Sequence, residues 1–403
     1  MPRVAPTRSV VFFMLVVLID SIGLGIVVPV LPTLLRRIAH VDIGTAAAIG
    51  GALAFAYAIA QFFCAPVVGA LSDRFGRRPV LLAALGAFAL DYALMALAPE
   101  LWLLAVGRVV SGITGATYST AYAAVADTTT PAERAKSFGL MGLAFGIGFI
   151  VGPMLGGIVG GLGTRAPFVL AAILAAANCA YGFFFVPETL AQEKRRPFSL
   201  AHANPFAAAV RAARHVEIRS FLVVLMLWQF AFQALPTTWS FFTNAVLGWS
   251  SIAIGLSLAY SGVMMAVAQG ALVGPLVKKI GERNAALLGL SLGSVAYVCY
   301  ALAHAAWPLY LGMTLWAFGS LVSPACNAMM SQRIGADRQG ELQGLVGSTY
   351  ALASIVAPLA LTQMFWRVGP SAPWIVSASL AALAVPIVLA APRRTVALAS
   401  NAP

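Results

Sequence analysis

Three ionisable residues interrupt long apolar runs. Asp20 lies in FFMLVVLIDSIGLGIVV, Asp91 in LLAALGAFALDYALMAL and Arg108 in LWLLAVGRVVSG. A charge at the centre of a bilayer costs about 2.5–3.5 kcal/mol on insertion scales, so such residues are kept for function or for pairing. Dry surroundings and a nearby cation act on a carboxyl in opposite senses, which suits reversible protonation near neutral pH. The chemistry to expect is proton uptake and release at Asp20 and Asp91 beside Arg108. Asp20 is the stronger candidate, because it adjoins the flexible stretch SIGLGIVVPVLP. The alternative is a static pair, Asp91–Arg108 or Asp20–Arg108, that only holds helices together.

These residues need helices to hold them. The chain has 403 residues, 61% hydrophobic and 9% charged, where a soluble domain carries about 25% charge. A bilayer crossing takes about 20 apolar residues. Twelve such runs are present, near 9–31, 46–70, 79–98, 100–126, 137–161, 165–186, 219–246, 250–277, 284–304, 306–332, 341–366 and 371–391. The first is too long for a signal-peptide core and reads as a retained span. Asp20 lies 12 residues past Arg8 and Asp91 12 past Pro79, so at 1.5 Å per residue both sit about 18 Å from one face. Arg108 lies 8 residues past Glu100, about 12 Å from the other face. In a hydrocarbon core of about 30 Å, all three share one level.

The net charge of +12 is a matter of topology, not of nucleic-acid binding. With the N-terminus in the cytoplasm, one side carries Arg3, Arg8, Arg74, Arg77, Arg78, Arg134, Lys136, Lys194, Arg195, Arg196, Arg211, Arg214, Arg219, Lys278, Lys279, Arg283, Arg333, Arg338, Arg393 and Arg394. The other carries only Arg36, Arg37, Arg165 and Arg367. The positive-inside rule then places both termini in the cytoplasm of a multi-pass inner-membrane protein. Residues 187–218 form the one long polar break. This predicts a six-helix bundle over 1–187, a cytoplasmic linker over 188–218 and a second bundle over 219–403. Within the linker, PFAAAVRAARHVEIRS reads equally as a basic surface helix or as solvated chain.

A shift of 205 residues aligns the halves: Gly69 falls on Gly274, Gly76 on Gly281, Gly107 on Gly312, Gly139 on Gly344, Gly142 on Gly347 and Pro153 on Pro358. Two parallel six-span repeats are a transporter build, with the substrate site near the midplane between them. The buried charges do not repeat: Asp20 falls on Leu225, Asp91 on Ala296 and Arg108 on Met313. They mark chemistry particular to the first half.

The turn GALSDRFGRRPVLL contains Gly69, Ser72, Asp73, Arg74, Gly76, Arg77 and Arg78. Its glycines recur in the second half, whereas Asp73 falls on Lys278. The arginines serve topology. Asp73 is expected to latch helix ends or basic groups in one conformation and release them in another.

Polar stripes mark a cavity or helix–helix hydrogen bonding. Span 7 carries Gln229, Gln233, Thr237, Ser240 and Asn244 on one face. Span 2 offers Tyr57 and Gln61; span 4 Thr114, Thr117, Tyr118 and Tyr122; span 8 Ser257, Ser261 and Gln269; span 10 Ser320, Asn327 and Ser331. Of these, the candidate cavity set is Tyr57, Gln61, Thr114, Thr117, Tyr118, Gln229, Gln233, Thr237, Ser261, Gln269 and Asn327. Such uncharged donors and aromatics suit a moderately polar organic ligand. In span 5, Gly148, Gly152 and Gly156 make a smooth packing face, and Pro153 permits a bend. Cys64, Cys179, Cys299 and Cys326 all fall in apolar runs without metal or disulfide spacing and read as buried structural thiols. His40, His202, His215 and His304 join no catalytic constellation, and no Walker-type loop is present. An enzyme and an ATP-driven pump are both disfavoured. A channel is disfavoured by the two-half architecture.

GALSDRFGRRPVLL and GRVVSGITGA resemble the loop 2–3 and span 4 signatures of the major facilitator superfamily. GFIVGPMLGG resembles the span 5 signature of its drug/proton antiporters. LIDSIGLGIVVPVLPTLLRR, ADTT and FGLMGLAFGIGFIVGP are similar to the tetracycline-efflux antiporters, with a weaker likeness in GLSLA and LQGLVGS. The resemblance implies an all-α major facilitator fold of 12 transmembrane helices in two six-helix pseudo-repeats. It implies export of a divalent metal–tetracycline chelate in exchange for a proton, driven by the proton gradient with no bound cofactor or resident metal. It also implies coupling roles for Asp20, Asp91 and Arg108, and gate roles for Ser72, Asp73, Arg74 and Arg77. A monomer in the lipid bilayer is compatible with it. The alternative is a multidrug or metabolite exporter of the same fold. Two positions depart from the pattern: Gly293 stands where those antiporters have an acidic residue in span 9, and Met265 where they have a histidine in span 8.

Overall fold

The computed structural model describes residues 6–115, 117–195, 216–334 and 338–391. Among the described residues, eleven helical stretches are long and apolar enough to cross a membrane. One of them, Ser251–Ala301, is 51 residues long, about twice a bilayer thickness. It breaks at Gly281, whose backbone is non-helical (φ 79°, ψ 161°). It therefore supplies spans 8 and 9, and the bundle has twelve spans. No strand occurs among the described residues.

Span 1 is Pro6–Val27, span 2 Ile43–Phe75, span 3 Arg77–Leu97, span 5 Pro131–Gly160, span 6 Ala166–Phe185, span 11 Gln339–Arg367 and span 12 Ala372–Ala390. Three spans are interrupted near mid-membrane. Span 4 divides into Leu101–Thr114 and Thr117–Thr128, span 7 into Val216–Phe232 and Ala234–Leu247, and span 10 into Ala306–Ala317 and Val322–Ser331 around a 3-10 turn at Phe318–Leu321. Span 8 carries a π turn at Ala268–Leu272. Irregular helix inside a membrane is tolerated where it lines a cavity or is buried in protein, so these four breaks already point to the interior.

The structure corrects two expectations. Span 1, expected over 9–31, ends at Val27, and Leu31–Ala39 form a separate helix with a proline in its first turn and His40 closing it in the left-handed region (φ 55°). Its buried face is Pro32, Leu34 and Leu35, and Arg36 and Arg37 occupy its last turn, where cations favour a helix end. Of the four thiols, only Cys326 is buried; Cys64, Cys179 and Cys299 are half-buried. Of PFAAAVRAARHVEIRS, open between a surface helix and solvated chain, residues 205–215 lie outside the described residues and residues 216–220 begin span 7.

Large apolar side chains cover the outside, among them Leu97, Leu162, Phe184, Trp307 and Val368. An apolar exterior of this extent fits lipid rather than water. Inside, span 5 packs along span 1. An added methyl on Gly148 would stand 2.5 Å from the Ser21 side chain, on Gly152 2.7 Å from the Ile22 carbonyl, and on Gly156 it would collide with the Ile26 carbonyl. The three glycines at four-residue spacing thus let two backbones approach with no side chain between them. Pro153 sits within the continuous span 5 helix, its ring against Gly25.

The glycines also reveal the conformation. On the side opposite the termini, the halves are pressed together. A methyl on Gly50 of span 2 would lie 2.9 Å from Phe241 of span 7, and one on Gly51 would strike Thr362 of span 11. One on Gly157 of span 5 would stand 2.5 Å from the Ser251 carbonyl of span 8. On the terminus side, a methyl on Gly69, Gly139, Gly142, Gly146, Gly270, Gly274, Gly340, Gly344 or Gly347 would meet nothing within 4 Å. These residues belong to spans 2, 5, 8 and 11, each of which also takes part in the contacts at the other end. The bundle is therefore closed at one end and open at the end carrying the termini.

Candidate functional site

The intramembrane charges share one chamber in the first half. Asp91 of span 3 is fully buried, and Arg108 of span 4 forms an ion pair with it. Ser111, one turn after Arg108, donates to the same carboxylate oxygen. Gly107 makes this approach possible: a methyl there would collide with Asp91. At the equivalent place in the second half, a methyl on Gly312 would lie 3.1 Å from the Ala296 carbonyl, so the close crossing persists without the charge. Arg108 also donates to the Met95 sulfur (3.2 Å) and lies 5.8 Å over the Tyr57 ring.

Asp20 is not ion-paired with Arg108. Buried in span 1, it is held by a hydrogen bond from Tyr118 of span 4, whose hydroxyl also lies 2.9 Å from Ser21 Oγ. Tyr57 and Tyr92 stand within electrostatic range of Asp20, Asp91 and Arg108 together. Four buried atoms of the chamber have no hydrogen-bond partner among the described residues: Asp20 Oδ2, Asp91 Oδ1, Arg108 Nε and Tyr92 Oη. Buried polar groups without partners are costly, so the chamber is built for something that completes them, such as water, a proton or a ligand atom.

A cavity of about 150 Å³ opens from this chamber towards the second half. Leu24, Tyr92 and Arg108 line one side, and Pro236, Thr237 and Ser240 of the broken span 7 line the other. Ser240 Oγ is also buried without a partner. A second cavity of about 400 Å³ lies within the second half, between Gln229 of span 7, Met265 and Gln269 of span 8, and Ser320 of span 10.

The structure distributes the expected cavity residues unevenly. Gln229, Thr237 and Gln269 line these cavities. Gln61 donates to the Gly115 carbonyl (2.9 Å) and to the Tyr57 hydroxyl (3.2 Å), so it satisfies the backbone at the span 4 break. Asn327 donates to the Ser323 carbonyl of its own helix (3.0 Å). Ser261 is buried. Gln233 sits at the span 7 break. The side chains of Thr114 and Thr117 lie outside the described residues.

The turn between spans 2 and 3 forms an ionic knot. Gly76 (φ 108°) makes the corner, a conformation that favours glycine; Gly281 makes the equivalent corner in the second half. Arg77 pairs with Asp73 (2.6 Å) and with Asp127 at the end of span 4 (3.0 Å), and donates to Ser72 (3.2 Å). The Glu188 carboxylate, just past span 6, accepts from the backbone N–H of Arg77 (2.9 Å) and of Arg78 (3.2 Å). It thereby caps the start of span 3. Arg78 donates to the Phe183 carbonyl, and Arg74 is exposed beside the Phe75 ring. A methyl on Gly69 would touch nothing within 4 Å. Sequence reasoning missed Asp127, Glu188, Ser111 and Tyr92. Ser111 was legible as a polar residue three after Arg108. Asp127 and Glu188 become partners of Arg77 only when spans 4 and 6 end beside span 3.

The family profile described as Major Facilitator Superfamily matches residues 13–358 and 270–402. The chain is 40% identical over 376 residues to the tetracycline resistance protein, class C, of Escherichia coli, covering 92% of this chain and 93% of that one. It is 36% identical to the class G protein of Vibrio anguillarum, covering 94% and 96%. Among solved structures, the human organic anion transporter MFSD10 matches with a TM-score of 0.70 at 28% identity, covering 96% of this chain and all of that one. By its twelve-span architecture, its profile match and its full-length relatives, this chain belongs to the major facilitator superfamily.

Proposed function

We propose that the protein exports a tetracycline-type drug across the inner membrane in exchange for protons, with both termini in the cytoplasm. The carrying observation is the chamber of Asp20, Asp91 and Arg108 with its partnerless buried atoms, which opens by a cavity onto span 7 of the other half. The full-length relatives named as tetracycline resistance proteins support the substrate class.

In this reading, the drug enters from the cytoplasm through the open end. Asp20 holds the exchangeable proton: it accepts a hydrogen bond from Tyr118, and among the described residues no cation pairs with it, so a change of protonation is not locked by an ion pair. Asp91 stays tied to Arg108 and Ser111 and holds the guanidinium in place. A divalent cation travels with the drug as cargo. The Asp73–Arg77–Asp127 knot is the latch, here in its released setting.

The test is resistance and uptake. A pump-deficient host expressing the chain should survive raised tetracycline, and everted vesicles should accumulate the drug until a protonophore collapses the gradient. Asp20→Asn should abolish gradient-driven accumulation while drug binding persists. Full transport by Asp20→Asn would remove Asp20 from coupling. Transport insensitive to the protonophore would remove proton exchange itself. A second reading, a multidrug or metabolite exporter, is favoured by one observation: among the described residues no charged side chain lines the 400 Å³ cavity.

A further inference from the structure

That cavity has an unusual floor. Trp228 of span 7 is 2% exposed, and its indole edge is slotted between two glycines of other helices. A methyl on Gly293 of span 9 would stand 2.7 Å from the ring, and one on Gly319 of span 10 would overlap it. Tyr297 closes the remaining side, its ring 6.4 Å from that of Trp228. The ring is thus clamped by backbone, which cannot yield as a side chain can. Above it, Phe232 lies half-buried and stacks on Trp316 at 4.9 Å, so it is a wall fixed in orientation. The opposing walls come from the two irregular turns, with Gln269 on the π turn and Ser320 on the 3-10 turn. Ser320 Oγ is buried without a partner. Irregular helix of this kind concentrates at functional sites.

We propose that Trp228 is a specificity-determining residue: wedged between Gly293 and Gly319, it sets the depth of a charge-free half-site that takes the uncharged ring portion of the exported drug. The inference rests on the export reading above and adds the substrate feature read by the second half. An aromatic wall, amide and hydroxyl donors and no formal charge recognise a flat, hydrogen-bonding ring system and not an ionised group. The size limit is imposed by the indole beneath. Gly293 and Gly319 determine how deep that indole sits.

The geometry makes two substitutions act in opposite directions. Trp228→Ala removes the floor and deepens the cavity, while Gly293→Ala pushes the indole up into it. The experiment measures equilibrium binding to the purified full-length protein of three probes of rising size: chloramphenicol, tetracycline, and a tetracycline with a bulky apolar ring substituent. Trp228→Ala should shift the preference towards the bulkiest bound probe by roughly tenfold, and Gly293→Ala away from it by a similar factor. Trp228→Phe should shift it as Trp228→Ala does, by less, which covers a failure of Trp228→Ala to fold. A purely structural role would lower thermal stability and weaken all probes alike, leaving their ratios unmoved. Ratios within twofold of wild type in all the variants that fold would overturn the proposal, as would wild-type protein that binds none of the probes. Wild-type protein that binds chloramphenicol and neither tetracycline would remove the tetracycline reading; the depth-setting role would then stand only if Trp228→Ala admitted a tetracycline, and would fall if it did not.

Discussion

The guanidinium of Arg77 lies 3.0 Å from the carboxylate of Asp127, joining the start of span 3 to the end of span 4. The same guanidinium holds Asp73 at 2.6 Å. All three residues belong to the first half, and the second half makes no close approach at the neighbouring Gly69. With this end of the bundle open, Asp73 is free to exchange Arg77 for a partner across the gap when the end closes.

Asp73→Asn and Asp127→Asn should therefore slow transport more than they destabilise the fold. Ion pairs this close to solvent contribute under about 1 kcal/mol, so the melting temperature should move by only a few degrees. Transport by vesicles should fall at least fivefold at unchanged drug affinity. Wild-type rates in Asp73→Asn would sink the latch.

The Asp91–Arg108 pair should behave oppositely. Asp91 is fully buried, and removing one partner of a buried pair costs about 3–5 kcal/mol because the other charge is stranded. Arg108→Ala should lower thermal stability in detergent by at least that order. The double change Asp91→Asn with Arg108→Gln should cost less than Arg108→Ala alone. Equal losses in the two proteins would argue against a stabilising pair.

Span 5 carries its own control. Gly156→Ala sets a methyl against the Ile26 carbonyl, whereas Gly142→Ala meets no atom within 4 Å. Overpacking costs about 1–3 kcal/mol, so the first variant should melt at a lower temperature and the second at or above wild type. Equal melting temperatures would contradict the packing described.

The open and closed ends can be read by thiol labelling. In a variant with its four native cysteines replaced, single cysteines at Gly142 and Gly344 should react with a membrane-impermeant maleimide applied from the terminus side. A cysteine replacing Thr362, buried against Gly51 at the closed end, should stay unlabelled. Fast labelling at Thr362 would place the protein in a different conformation.

Much of this was legible in the chain itself. Apolar run length located the spans to within a few residues, because a helix in lipid must satisfy its own backbone over a fixed thickness. The Ser251–Ala301 run is instructive: its backbone breaks at Gly281, where the sequence already separates two spans through Lys278, Lys279 and that glycine. The candidate cavity residues were less legible. A polar stripe in span 2 or span 10 looks the same whether it faces a ligand or a neighbouring backbone, and Gln61 and Asn327 are bonded to carbonyls.

The sequence alone determined that this is a twelve-span membrane protein with charges buried only in its first half, because hydrophobic length and the cost of burying charge are local properties of the chain. Tertiary structure decided the pairings. Arg108 sits with Asp91 and not with Asp20, since Gly107 lets span 4 approach span 3 while Tyr118 occupies the space beside Asp20. It also decided which end is open and what stands beside Gly293. Those outcomes depend on contacts between residues tens to hundreds of positions apart, where a missing side chain on one helix makes room for a ring carried by another.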